Sequence, residues 1–116
     1  MNDWRCGLLD RKEPWNSAQA TERIRALGKA RELALNYKKH AKDRLLERGL
    51  VMGDVLHLLR HGFVHEGAQK STRDGCFKYR VEGKTPNSGA RTVGAIVIPD
   101  WGNCECKIIT VMWVDE

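Results

Sequence analysis

The spacing of apolar residues changes character once along the chain. In SAQATERIRALGKARELAL, the positions Ala20, Ile24, Leu27, Ala34 and Leu35 fall on one stripe at helical spacing, and Ser17 can cap its start. Arg31 lies inside that stripe. Either its aliphatic stem covers apolar surface while its head reaches water, or it points into a functional groove. Tyr37, Ala41, Leu45 and Arg48 follow at steps of four and three. That spacing predicts a helix through LNYKKHAKDRLLERG, whether or not the chain breaks near Asn36, and Gly49 ends it. LVMGDVLHLLRHG gives another short helix, with Val51, Val55, Leu58 and Leu59 apolar and Gly62 as its stop. Short helices that each end on glycine predict an αα-hairpin.

After Gly62 the pattern turns to β-branched and aromatic runs: FVHE, CFKYRVEG, RTVGAIVIP and CKIITVMWV. The links GAQKSTRDG, KTPNSG and DWGN carry turn chemistry. This predicts four antiparallel strands in a meander. In CFKYRVEG, Phe77, Tyr79 and Val81 share the face toward the helices, while Lys78, Arg80 and Glu82 share the other. The last run is apolar on both faces, as a central strand or one under a partner would be. Helices first and strands after predict an α+β fold, with N-terminal helices packed on one face of a four-stranded antiparallel sheet and the other face open. The chain divides into an N-terminal arm (1–16, with Trp4 and Trp15), a basic amphipathic helix (17–37) and an α+β domain (38–116).

Charge sharpens this picture. Of the chain's 20 cations, nine lie between Arg23 and Arg48, against three carboxylates there. That surplus of six exceeds the net +5 of the whole chain, so this segment alone sets the sign of the field. It is either a solvated basic helix surface or a surface for a polyanion or acidic partner. No apolar run approaches a bilayer-spanning length, and the first residues lack a secretory pattern, so a cytoplasmic protein with no membrane association is expected. Cys6, Cys76, Cys104 and Cys106 are then expected to be reduced. Cys104-x-Cys106 lacks zinc-knuckle spacing, which favours plain strand residues. His57 and His61, with His65 four further on, have a spacing that can bind a metal, yet Leu58 stands where a metalloprotease would place its glutamate.

The stretch HAKDRLLERGLVMGDVLHLLRHG, followed by CFKYRVEG and KIITV, resembles the bacterial family of domain of unknown function 4258. The matching positions are His40, Ala41, Arg44, Arg48, Gly49, Gly62, Tyr79, Gly83, Thr110 and Val111, within roughly residues 38 to 114. Leu45 stands where members often have Met, and the basic N-terminal helix lies outside the resemblance. The family looks like a relative of the RelE and BrnT toxins, and its members are similar in size and setting to MqsR-type toxins. The resemblance thus implies a RelE/BrnT-like fold and a toxin-like endoribonuclease, paired with a protein antitoxin or other acidic partner.

Metal-free RNA cleavage by the 2′-hydroxyl needs a base, an acid and cations around the phosphate, and no cofactor. The catalytic candidates are His40, Arg44, Arg80 and Thr110. His40 is a base or acid, or else only a hydrogen-bonding residue at a helix start. Arg44, one turn on, is a phosphate clamp or a surface partner of Glu47 or Asp43. Arg80 is a phosphate ligand on the open face or pairs with Glu82 or Glu105. Thr110 donates a hydroxyl or simply favours its strand. Tyr79 points inward, toward packing. Arg48, Lys78, Lys107, Trp101, Lys38 and Lys39 are the candidate RNA contacts, Trp101 either stacking on a base or capping the core. The rival expectation is a non-catalytic basic module binding protein or nucleic acid, for example an inhibitor in host–phage conflict. A homodimer is compatible with both.

Overall fold

A computed structural model of the chain describes residues 13–71 and 76–115. Helix α1 (Ser17–Gly28) starts at Asn16, not at Ser17: the Asn16 side chain accepts from the Gln19 N–H, and the Gln19 side chain accepts from the Asn16 N–H. The helix expected over residues 17–37 stops at Gly28. Strand β1 (Ala34–Tyr37) follows it, so Ala34 and Leu35 belong to a strand and Arg31 to an exposed turn. The reason is tertiary: β1 runs parallel to the last strand and completes an edge that local spacing cannot reveal.

Helix α2 (Lys39–Glu47) and helix α3 (Met52–His61) lie within the predicted helical stretches, but Tyr37, counted on the first, belongs to β1, and Val51, counted on the second, is an exposed cap residue. Gly49, at φ +67°, turns the chain between the two helices. They do not form the expected hairpin. Helix α3 packs against α1, and α2 packs on the final strand. Strands β2 (Phe63–Val64), β3 (Gln69–Lys70), β4 (Phe77–Gly83), β5 (Val93–Asp100) and β6 (Glu105–Trp113) complete the described elements. The sheet has the order β1-β6-β5-β4-β2, with β3 on β4. It is therefore a six-stranded mixed sheet, and four antiparallel strands understate it. The α+β architecture stands.

The helices cover one face. Tyr79, Val81, Val93, Ala95, Val97, Cys106, Ile108 and Val111 point into the core beneath them. Trp15 is also buried there. Its ring stacks on Tyr79 at 5.3 Å, its backbone N–H donates to the Tyr79 hydroxyl, and that hydroxyl donates to Glu13 at 2.8 Å. Trp4 lies outside the described residues. Burial pushes the Tyr79 phenol up, and the Glu13 carboxylate beside it adds to that.

Helices α1 and α3 close each other's ends. Arg25 donates to the carbonyls of Gly62 and His61, at the end of α3, and Arg60 donates to the carbonyl of Gly28, at the end of α1. Gly62 sits so close to β4 that a Cβ there would lie 2.8 Å from Val81 Cγ1 and 2.6 Å from the Leu58 oxygen.

Asp54, only 1% exposed, ties the start of α3 to the β4–β5 loop. Its carboxylate accepts from the Val51 N–H at 2.8 Å and from the Asn87 N–H at 3.0 Å, with the Asn87 side-chain amide at 3.1 Å. Burial works to raise this carboxyl, but those hydrogen bonds outweigh it and hold it below the usual range. Its stabilising contribution is therefore present above the unfolded pKa of about 3.9 and is lost as pH falls through the lower folded value. Asp54→Ala is expected to cost about 2–3 kcal/mol near neutral pH, because two backbone donors lose their acceptor. In denaturant titrations the gap between wild type and variant should shrink below about pH 4. Gly62→Ala is expected to lower stability at every pH, by about 1–3 kcal/mol, through the overpacking of α3 against β4.

Candidate nucleic-acid interface

Alternation along three paired strands builds the open face. Arg80 is opposite Ile96 and Ile96 opposite Thr110, so Arg80 and Thr110 stand on that face two strands apart. Glu82, Gly94 and Met112 form the next row. An irregularity in the β5–β6 register leaves Ile109 without a partner, and both Ile109 and Thr110 turn to the open side.

Three lysines converge there. Lys38 precedes α2, Lys78 comes from β4 and Lys107 from β6, and they line one groove of about 260 Å³ together with Ser71, Cys76, Ile98 and Ile109. Among the described residues, the lining contains no carboxylate. The strands explain the meeting: Asn36 is registered with Lys107, and Lys38, two residues on, projects from the same side of β1. Ser71 and Cys76 enter through the β3–β4 hairpin, where the Ser71 N–H donates to the Cys76 carbonyl. Sequence reading put Ser71 in a turn and Cys76 at a strand start, and gave neither a place at the site. The polar residues around a two-residue strand carry no periodic signal.

Arg80 stands one pleat from Lys78. Its Nε lies 2.8 Å from Glu82 Oε2 and 3.5 Å from where a Cβ on Gly94 would be. That Nε is buried and makes no well-directed hydrogen bond, so charge more than geometry holds the ion pair. The pairing expected between Arg80 and Glu82 is thus present, within one strand.

The remaining candidates stand elsewhere. Helix α2 buries Ala41 and Leu45 against β6 on the covered side of the sheet, whereas Arg80 projects from the open side. His40 is exposed on α2, and Arg44 is engaged by Glu47 at 2.9 Å. The packing of α2 against β6, two strands from β4, gives no support to the expected juxtaposition of His40 and Arg44 with Arg80. Arg48 is the C-cap residue of α2, its side chain 13% exposed and 3.3 Å from Glu47. Lys39 is exposed in the first turn of α2 and does not line the groove. Trp101 is 7% exposed, so it caps the core and offers no ring to a base.

Cys76 lines this groove, and His65 Nε2 stands 3.7 Å from Glu82 Oε1. Cys104 is disulfide-bonded, contrary to the expected reduced state, whereas Cys76 and Cys106 are free. Cys6 is outside the described residues. Complete burial pushes the Cys106 thiol up to about 12, so it is an inert core residue. The His57 and His61 rings are 4.6 Å apart. Desolvation, then His57 and the cations Lys29, Arg25 and Arg60, hold His61 below its usual pKa, and the same positive field opposes a divalent cation. No group of three His, Cys, Asp or Glu side chains that could hold a metal occurs among the described residues. Nor is any helix among them long and apolar enough to cross a membrane.

The Arg80–Glu82 pair gives a directional test. Glu82→Gln removes the carboxylate that neutralises Arg80 and is expected to tighten polyanion binding about two- to fivefold at low salt, the worth of a partly exposed ion pair. Titration of a fluorescent oligonucleotide into both proteins reads this directly.

No curated protein matches the chain, and no solved structure does. The family model described as Domain of unknown function (DUF4258) matches residues 37–113, from the last residue of β1 to the end of β6, with all three groove lysines inside it. The match covers about two thirds of the chain, which therefore belongs to this family.

Proposed function

We propose that the open sheet face binds the phosphodiester backbone of RNA, and that the chain acts there as a basic binding module. One observation carries this reading: Lys38, Lys78 and Lys107 reach one groove from three separate elements, with no carboxylate among the described residues of its lining. Three ammonium groups side by side repel one another, so an anion among them relieves a cost that the fold itself imposes. Lysine contacts a phosphate as a point charge and carries no base code, so binding would be weakly sequence-dependent and strongly salt-dependent. Ile98 and Ile109, in the same groove, offer an apolar floor to an unstacked base or a sugar.

The likeness to RelE and BrnT toxins would add cleavage, and a protein antitoxin to restrain it. Cleavage requires a proton acceptor and a proton donor at the 2′-hydroxyl and the leaving oxygen. His40 is on α2, which packs against β6 two strands from Arg80, whereas Thr110 shares Arg80's face. That placement favours binding without cutting.

The test is fluorescence anisotropy with a single-stranded RNA oligonucleotide across a salt series, with RNA integrity followed on gels in EDTA. The expected outcome is binding that weakens steeply with salt. The Lys38→Ala/Lys78→Ala/Lys107→Ala variant should flatten the log–log salt slope by about two units, at roughly 0.7 per phosphate contact on a single strand. His40→Ala and Arg44→Ala should bind as wild type, and the RNA should stay intact. Cutting in EDTA that requires the lysines would overturn the non-catalytic reading and restore the ribonuclease. Binding indifferent to the triple substitution would remove the groove from it.

A further inference from the structure

Strand β1 leaves one side of its backbone unused among the described residues. The Ala34 N–H bonds to the Cys104 carbonyl and the Lys38 N–H to the Ile108 carbonyl. In a parallel ladder alternate residues turn both backbone groups to the same neighbour, so Ala34, Asn36 and Lys38 serve β6. Leu35 and Tyr37 present their N–H and C=O groups outward. Edge strands are usually protected by lysine, proline or a bulge, and the sequence ALNY carries none of these. Beside the edge runs a groove of about 740 Å³ whose apolar lining includes Leu33, Leu35, Tyr37, Met52 and Leu56. Met52 is 49% exposed, an uncovered apolar side chain at the groove's wall.

We propose that this edge pairs with the same edge of a second copy of the chain, antiparallel and about a two-fold axis through Asn36. The register follows from the outward groups. With Asn36 opposite Asn36 of the second copy, Leu35 stands opposite the second copy's Tyr37. In an antiparallel pair such residues exchange both backbone hydrogen bonds, and Leu35 and Tyr37 are the two residues whose groups point outward. Each copy's Leu35 then packs beside the other's Tyr37 on the helix side, filling the groove. A two-fold contact must be self-complementary, and here the charges agree. Ala34 stands beside Glu105 on the open face, and the register sets Lys38 of the second copy opposite Ala34. The small alanine leaves that lysine a path to the Glu105 carboxylate. Asn36 is registered with Lys107, so the two Asn36 amides meet on the open face and the lysine grooves of both copies lie on one continuous sheet.

Light scattering of the full chain after size exclusion is expected to give twice the monomer mass of 13.2 kDa. Leu35→Lys puts a charge into each symmetric pair and should shift the protein to monomer, with circular dichroism reporting its fold. Should that variant fail to fold, Asn36→Cys decides. Asn36 occupies a non-hydrogen-bonded position on the axis, where the two Cα atoms would be about 4.5 Å apart, within disulfide range. Under mild oxidation Asn36→Cys should cross-link to a covalent dimer, while wild type and Ala34→Cys, off the axis, should not. A wild type that stays monomeric at its highest soluble concentration overturns the proposal and leaves the edge to an extended peptide of another protein. So does a dimer in which Asn36→Cys does not cross-link, since the copies would then meet elsewhere. RNA binding enters none of these measurements.

Discussion

Burial of a single face of the β4–β5–β6 sheet dictates where every charged side chain on those strands must stand. Tyr79, Val81, Val97, Cys106, Ile108 and Val111 are each at most 1% exposed under the helices. Side chains alternate with period two, so a slip of one residue would drive Lys78, Arg80 and Lys107 into that core. Desolvating even one ammonium costs several kcal/mol, more than any local rearrangement could return. The basic face is thus a consequence of the hydrophobic one. The same core takes Ala41 and Leu45 from α2, which packs against β6, two strands from Arg80.

Much of this was legible in the residues. The faces of CFKYRVEG, the glycine stops at Gly49 and Gly62, and helices α2 and α3 rest on local periodicity, and the structure has them within the stretches that periodicity marked. Strand β1 was hidden because Ala34 and Leu35 also fit a helical stripe. Only β6, some seventy residues away, offers the parallel partner that decides between the two. Strand β3 was hidden by its two-residue length. Of the site, Lys78 and Arg80 were readable as one face, whereas Lys107 and Thr110 fall on opposite faces by strict alternation and share one only through the irregularity at Ile109. The approach of Lys38 was not readable, since it depends on β1. His40 shows the opposite error: sharing a helix face with Arg44 says nothing about which strand that helix packs against.

The cationic surplus between Arg23 and Arg48 is less of a beacon than its count suggests. Arg25 closes the end of α3, Arg44 and Arg48 are engaged by Glu47, and Arg23 lies over the Trp15 ring at 5.7 Å. These cations do structural work at helix ends and over an aromatic ring. Thr21 joins them: its hydroxyl accepts from the Val64 N–H at 2.9 Å, pinning α1 to β2. The N-terminal segment beyond the family match is therefore an integral layer of the domain and not an appended basic tail.

What remains free to act on a partner is smaller and better placed. Within the segment that carries the surplus, Lys38 is the residue that reaches the open face, and it does so because β1 delivers it there. Strand β1, of which the family match includes Tyr37 alone, thus has two effects. It sets the position of Lys38, the groove's third lysine and itself inside the match, and it replaces β6 as the outer strand. Strand β6 has lysine at position 107, facing out, and would make a poorly self-complementary edge. Strand β1 is short, uncharged and apolar on the helix side. The same four residues therefore complete the anion groove and expose the edge at which a second copy would extend the sheet.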